Sequence, residues 1–198
     1  MGKGLDTRDA ILERAIRMAS EAGLEGLTIG RLAADLDLSK SGLFGHFASK
    51  EGLQVATLDR AAERFVDVVI RPALKAPRGE PRLRALFERW QRWPIDVPQP
   101  GGCLFVQAAV ELDDKPGPAR DRLVALQREW LGALATSVKG AVAEGHFRSD
   151  VDPDQVAFEL YGIMLSTHHA VRLLHDARAN DRARRAVDRL LAYCRTES

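Results

Sequence analysis

The 198-residue sequence holds two cysteines, Cys103 and Cys194, far apart and at no metal-binding spacing. So few thiols in a chain of this size exclude a disulfide framework. Both are expected to be buried as small hydrophobes, with a redox switch at Cys103 as the other reading. Long hydrophobic runs are missing as well: charge interrupts each apolar stretch before the roughly eighteen residues a membrane span requires. No apolar core follows Met1–Asp6, so no signal peptide is expected and the sequence reads as cytoplasmic. Nor is one sign of charge in surplus, with 29 Lys and Arg against 28 Asp and Glu. Residues 1–60 alone carry eight basic and nine acidic side chains. A nucleic-acid partner, if there is one, must therefore be held by a local patch.

Signatures of catalysis are absent too. The sequence has no P-loop, Gly-rich dinucleotide loop, nucleophile elbow or catalytic-cysteine motif, so neither an enzyme nor a cofactor is expected. His168 and His169 with His175, the first and last read as sharing a helix face, invite a metal-dependent alternative. A metal site needs three or four converging ligands, and no HExxH-like pair is present. The cluster reads as solvated or interface histidines, with no metal.

What the sequence does contain is helical periodicity from end to end, in a composition 45% hydrophobic and 29% charged that suits a folded protein. Ile11, Ala15, Met18, Ala19 and Ala22 define a first helix, capped by Asp6 or Thr7 and closed by Gly23. Thr28 caps a second, whose apolar face is Ile29, Leu32, Ala33 and Leu36. The turn Leu36-Asp37-Leu38 leads to Ser39, cap of a very short third helix with Leu43 and Phe47 inward. Ser49 caps a fourth from about Lys50 toward Ile70, with Glu51 near its positive end and Pro72 ending or kinking it. A fifth carries Leu83, Leu86, Phe87 and Trp90, before a breaker-rich loop, Pro94–Gly102. A sixth covers Cys103–Leu112, and Lys115-Pro116-Gly117-Pro118 punctuates the chain. A seventh runs from Ala119 to Glu144. Asp152-Pro153 opens an eighth along Val156, Leu160, Ile163, Met164, Thr167, Val171 and Leu174. The ninth buries Ala183, Ala186, Val187, Leu190, Leu191 and Cys194. The expected fold is all-α: a three-helix head at 1–50 and a helical body at 51–198, about nine helices in all.

Function is concentrated in Thr28–Lys50. Two short helices joined by a tight turn, the second opened by small polar residues, fit a helix-turn-helix. Such a motif offers the start of its second helix to the DNA major groove. Lys40, Ser41 and Gly42 stand there: a lysine that donates to guanine, a serine that bonds several bases, and a glycine that permits close approach. Leu38–Lys50 contains Lys40, His46 and Lys50 and no acidic residue. The competing reading is an ordinary helical hairpin in a scaffold or protein-binding module.

The run TIGRLAADLDLSKSGLFGHFASKEGL, preceded by DTRDAILERAIRMASEAG, resembles the tetracycline-repressor (TetR) family of regulators over about residues 6–58. The element Phe44-Gly45-His46-Phe47-Ala48-Ser49-Lys50 carries the likeness. The resemblance implies base contacts from Lys40, Ser41 and Gly42, Phe44 against the DNA backbone, and phosphate contacts from Thr28, His46 and Lys50. Two departures stand out: Phe44 replaces the family's usual tyrosine, removing a hydroxyl, and Asp37 stands where glycine is common, though aspartate tolerates a left-handed backbone. The segment from Gly102 through Pro118 resembles one subgroup of these regulators.

The family likeness further implies a small apolar or amphipathic effector in the body and a homodimer through about residues 152–195. Candidate effector residues are Phe87, Trp90, Phe105, Gln107, Trp130, Tyr161, Met164 and His168, with Trp93, Phe158 and Glu111 also considered. Each aromatic has plain core packing as its simpler explanation. The mechanism implied is a ligand-responsive repressor whose two heads occupy successive major grooves of a pseudo-palindrome until the effector releases them.

Overall fold

Among the described residues there are nine α-helices longer than one turn, and an isolated bridge between Phe147 and Arg195 is the one extended pairing. The computed structural model describes the backbone of residues 2–97 and 99–196, and side chains from Arg8 onward within that span. The helices are α1 (Gly2–Gly26), α2 (Ile29–Asp35), α3 (Lys40–Phe47), α4 (Lys50–Phe65), α5 (Glu80–Asp96), α6 (Leu104–Leu112), α7 (Pro118–Ala143), α8 (Pro153–Arg172) and α9 (Ala179–Cys194). No described helix is long and apolar enough to cross a membrane.

The cap residues act where the sequence places them. Thr28 Oγ1 accepts the Arg31 N–H, Ser39 Oγ accepts the Gly42 N–H, and Ser49 Oγ accepts the Gly52 N–H. Asp152 accepts from both Asp154 and Gln155, with Pro153 in the first turn of α8. Each such cap satisfies an N–H that the helix cannot, and is worth about 1 kcal/mol. Gly23 breaks α1 with φ 76° and ψ 165°, as its closing role requires.

Four boundaries differ from the sequence reading. First, α1 is already helical at Gly2, upstream of the expected caps Asp6 and Thr7, whose side chains lie outside the described residues. Second, α4 does not run on regularly to Pro72: it passes into a π-helical turn at Val66–Ile70 and a three-residue helix, Arg71–Ala73. Pro72 supplies no N–H and crowds the carbonyl four residues before it, and a widened turn there relieves that crowding. Third, α5 continues through Pro94 to Asp96, because Trp93 is almost wholly buried and the proline falls in the last turn. Fourth, α8 ends at Arg172, so His175 stands beyond it with φ 50° and does not share a helix face with His168. Among the described residues no three His, Cys, Asp or Glu side chains converge as a metal site.

The chain forms two compact units. The first comprises residues 1–65 and 97–126, and so joins α1–α4 to α6 and the opening turns of α7. Its core gathers Ile11, Ala15, Leu24, Leu27, Leu32, Leu43, Leu53, Leu58, Leu104 and Ala108. Burying a leucine fully contributes about 1.5–3 kcal/mol, so these positions hold the small helices in register. Ion pairs bracket the core: Arg14 forks onto Asp35, Arg60 reaches Glu13 at 2.9 Å and Glu63 at 3.1 Å, and Arg64 reaches Glu13 at 3.2 Å. Gly101 lies against the backbone of α1, where a Cβ would overlap the Ser20 carbonyl oxygen.

The second unit comprises residues 66–96 and 127–198. Leu83, Leu86, Phe87, Trp93, Leu134, Val138, Leu160, Met164, Val187 and Leu191 form its core. Glu80, at the start of α5, accepts from Arg195 at 2.7 and 2.9 Å and from Arg84 at 2.7 Å, and Arg84 also reaches Asp188 at 2.6 Å. The Arg195 guanidinium, aided by Arg84, outweighs burial and holds the Glu80 carboxyl down at about 2. Cys194, in this unit, and Cys103, in the first, are both buried and in no disulfide, and burial pushes the Cys194 thiol up.

Candidate nucleic-acid interface

The turn between α2 and α3 is built by residue 37. Asp37 adopts φ 53°, which allows the Leu36 N–H to bond Leu32 O and the Leu38 N–H to bond Ala33 O at 2.9 Å. That pattern closes a helix with one left-handed residue, and aspartate fills the place at modest cost. The chain then leaves α2 sharply enough for α3 to cross it with only Leu43 and Phe47 buried.

Every other residue of α3 faces outward. Lys40, Ser41, Gly42, Phe44, Gly45 and His46 are all exposed, Phe44 by 54%. Lys40 begins the helix, and its aliphatic stem passes Gly30 of α2, where a Cβ would stand 3.5 Å from Cε. Ser41 Oγ lies 3.3 Å from the capping Ser39 Oγ. The His46 ring tilts against Phe47 with centroids 6.0 Å apart, and the Arg8 guanidinium covers Phe47 at 5.4 Å. An exposed aromatic among small polar groups, on a helix with two inward residues, makes a contact surface of α3.

Thr28 and Lys50 flank this face, at the starts of α2 and α4. The Thr28 hydroxyl accepts the Arg31 N–H and keeps its own proton to donate outward. Lys50 is already engaged: Nζ stands 3.4 Å from Glu25 Oε2. Burial works to raise the Glu25 carboxyl, but Lys50, Gln54 and Lys115 together prevail and hold it below its usual range. A Lys50 bond to phosphate would replace this exposed ion pair, which is worth little in water.

The candidate effector residues divide between the units. Phe105 and Gln107 lie in the first, where Phe105 meets Phe65 edge-on with centroids 6.0 Å apart and the Gln107 amide donates to Gly101 O. The other six lie in the second. There Phe87 and Trp90 stack at 6.4 Å, Trp130 and Met164 are buried, and Tyr161 donates to Gln127 at 2.7 Å. Desolvation first, then Arg172 and His169, lowers the His168 pKa. Glu111, considered from sequence as an effector contact, instead accepts the Leu24 and Glu25 backbone N–H groups at 2.7 Å each. Sequence patterning carries no sign of this, because the partners are main-chain groups far upstream.

The outer faces of α8 and α9 form a shallow, open groove of about 560 Å³ lined by Ile163, Ala186, Leu190 and Tyr193, with Glu159 and Arg189 along its border. Phe158 and Tyr193 are 70% and 73% exposed. These two aromatics leave an exposed apolar surface along the helix pair.

Residues 11–57 match "Bacterial regulatory proteins, tetR family", and residues 79–187 match "Tetracyclin repressor-like, C-terminal domain". The HTH-type transcriptional repressor KstR2 of Mycobacterium tuberculosis is 28% identical over 155 residues, 75% of this chain and 73% of that protein. The HTH-type transcriptional repressor AcnR of Corynebacterium glutamicum is 39% identical over 67 residues, 34% of this chain and 36% of that protein. A TetR transcriptional regulator from Chloroflexus aurantiacus superposes with a TM-score of 0.85 at 28% identity, over 98% of this chain and 96% of that one. AibR, solved in complex with isovaleryl coenzyme A and operator DNA, shares the fold with a TM-score of 0.67 at 22% identity, over 94% of this chain and 97% of that one.

Proposed function

This chain belongs to the TetR family of bacterial regulatory proteins, and from that premise we propose how its DNA-binding helix-turn-helix works and what controls it. Residues 1–50 read the operator and residues 51–198 carry effector binding and dimerisation. Lys40, Ser41 and Gly42 meet base edges; Phe44 rests on the sugar–phosphate backbone; Thr28, His46 and Lys50 hold phosphates. The observation that carries this reading is the outward face of α3, six exposed residues held by two buried ones. The test is a fluorescence titration against DNA flanking the protein's own gene, at two salt concentrations. Lys40→Ala should lose about 1–3 kcal/mol on the operator alone. Lys50→Ala should weaken binding to every duplex and reduce the salt slope by about one. If no duplex is bound, the reading is wrong.

The reader works as a twofold dimer through residues 152–195, with the apolar groove of α8 and α9 covered by its mate. In an isologous interface each residue meets its complement across the axis, so one patch must supply both signs of charge. Glu159 and Arg189 border the groove and meet that requirement. Glu159→Arg should split the dimer in sedimentation, and adding Arg189→Glu should restore it. Restoration failing while both proteins stay folded would remove this pairing.

A small apolar or amphipathic effector, held by residues of the second unit from among Phe87, Trp90, Trp130, Tyr161, Met164 and His168, releases the operator. It does so by favouring a different separation of the two heads, making the protein a repressor in the cytoplasm. AibR, which binds isovaleryl coenzyme A, supports an amphipathic class. An effector that leaves operator affinity unchanged would contradict linkage between the sites and end this proposal.

A further inference from the structure

We infer that Glu111 is a positioning residue for operator recognition: its carboxylate, presented by α6, fixes the point from which the α2–α3 reading pair departs. The inference rests on the proposed reading of α2–α3 as the DNA-contacting pair, and it adds a residue outside that pair. At Gly23 the backbone leaves helical geometry, with φ 76° and ψ 165°. The next two N–H groups therefore lack the carbonyl partners that a continuous helix would give them. Glu111 takes both, Leu24 N–H on Oε2 and Glu25 N–H on Oε1, each at 2.7 Å. Bonds from main-chain donors to an ionised carboxylate are among the stronger hydrogen bonds available to a protein.

Leu24 is held on its other side as well. Its carbonyl accepts the Gln54 amide of α4 at 2.8 Å and the Leu27 N–H at 3.1 Å, and its side chain is wholly buried. Gly23 leaves room for the carboxylate, since a Cβ there would stand 2.7 Å from Glu111 Oε1. α6 is itself tied to α1 further along: Gln107 donates to Gly101 O, and Gly101 rests on the Ser20 carbonyl. From Leu24 the chain needs only a short turn to reach Thr28, the cap of α2. The direction in which α2 and α3 leave is thus set by a clamp whose one jaw is α6 and whose other is α4. A rigidly placed α3 matters for base readout, which is geometric, and matters little for attraction to phosphates.

Glu111→Gln keeps one acceptor oxygen but turns an amide donor toward a backbone donor, opening half the clamp. The probe is a duplex that the unaltered chain itself selects from a randomised library, with a scrambled duplex beside it. We expect Glu111→Gln to keep its helical circular dichroism, to bind the selected duplex roughly tenfold more weakly, and to bind the scrambled duplex as before with the same salt slope. Exchange of the Leu24 and Glu25 amides should quicken. Glu111→Asp, which keeps the carboxylate, should recover part of the specific affinity. Gly23→Ala should mimic the loss and combine with Glu111→Gln less than additively, since both act on one contact. Specific binding unaltered in Glu111→Gln would overturn the inference. So would an equal fall on both duplexes, which marks a role in stability alone. An unaltered chain that selects no duplex would instead refute the DNA reading, and this inference with it.

Discussion

At the scale of single residues, the face proposed to meet DNA is governed by who holds its cations. Lys50 leans on Glu25 at 3.4 Å, so one acidic side chain stands beside the proposed path of a phosphate. Glu25→Gln should release Lys50 and remove a repulsive charge, tightening binding to any duplex about two- to fivefold at low salt, the gain fading as salt rises. A titration at several ionic strengths checks it, and unchanged binding would place the phosphate path elsewhere. The two short helices and their turn, which present the proposed DNA-contacting set, were legible because they are a local string, with caps and turn chemistry written in neighbouring residues. Glu111 was not legible, because what it contacts is peptide backbone and no side-chain pattern announces that. Gly23 gave half of the signal: a glycine that breaks a helix can turn the N–H groups after it away from the helix carbonyls, and something must then satisfy them.

At the scale of elements, the junction of α3 and α4 is the strained one. Ala48 adopts φ 58° and ψ −33°, and the Ser49 N–H reaches back to Phe47 O at 2.6 Å. A left-handed tight turn at an alanine costs of order 1 kcal/mol that glycine would not incur. Ala48→Gly is therefore expected to raise the thermal midpoint by a few degrees, less the entropy of a freer unfolded chain. A lowered midpoint would mean that the turn is relaxed. The inward residues behave oppositely: Leu43→Ala empties a fully buried position and should cost about 2–5 kcal/mol, read from denaturant unfolding. Helix number, order and caps followed from periodicity, but the π-helical turn before Pro72 and the run of α5 through Pro94 did not. Both depend on which bulky neighbours are buried, and a periodic stripe does not state what covers it.

At the scale of the whole molecule, the second unit owes part of its stability to charge at one end of α5. Glu80 is held at about 2 by Arg195 and Arg84, against an ordinary 4.5. A carboxyl with a depressed folded-state pKa stabilises above its unfolded value and loses that contribution as pH falls toward the folded one. Unfolding should therefore ease between about pH 4.5 and 2, by roughly 1–2 kcal/mol once solvent screening is allowed for. Glu80→Gln should flatten that part of the stability profile, and an unchanged profile would assign acid sensitivity to other groups. The sequence showed apolar stripes on α8 and α9 but not the residues that border their groove, since Glu159 and Arg189 become neighbours only when the two helices pair.

The close approach of Gly101 to Ser20 also bears on how this sequence can drift over generations. Where the Ser20 carbonyl occupies the space of a side chain, no amino acid but glycine fits without moving α1 or the loop. Gly132, on α7, has nothing within 4 Å of the place a Cβ would take. In a library of all single substitutions grown under selection for operator occupancy, position 101 should return an empty column while position 132 accepts alanine freely. Descendants of this gene would then keep that glycine long after their operators and effectors had diverged.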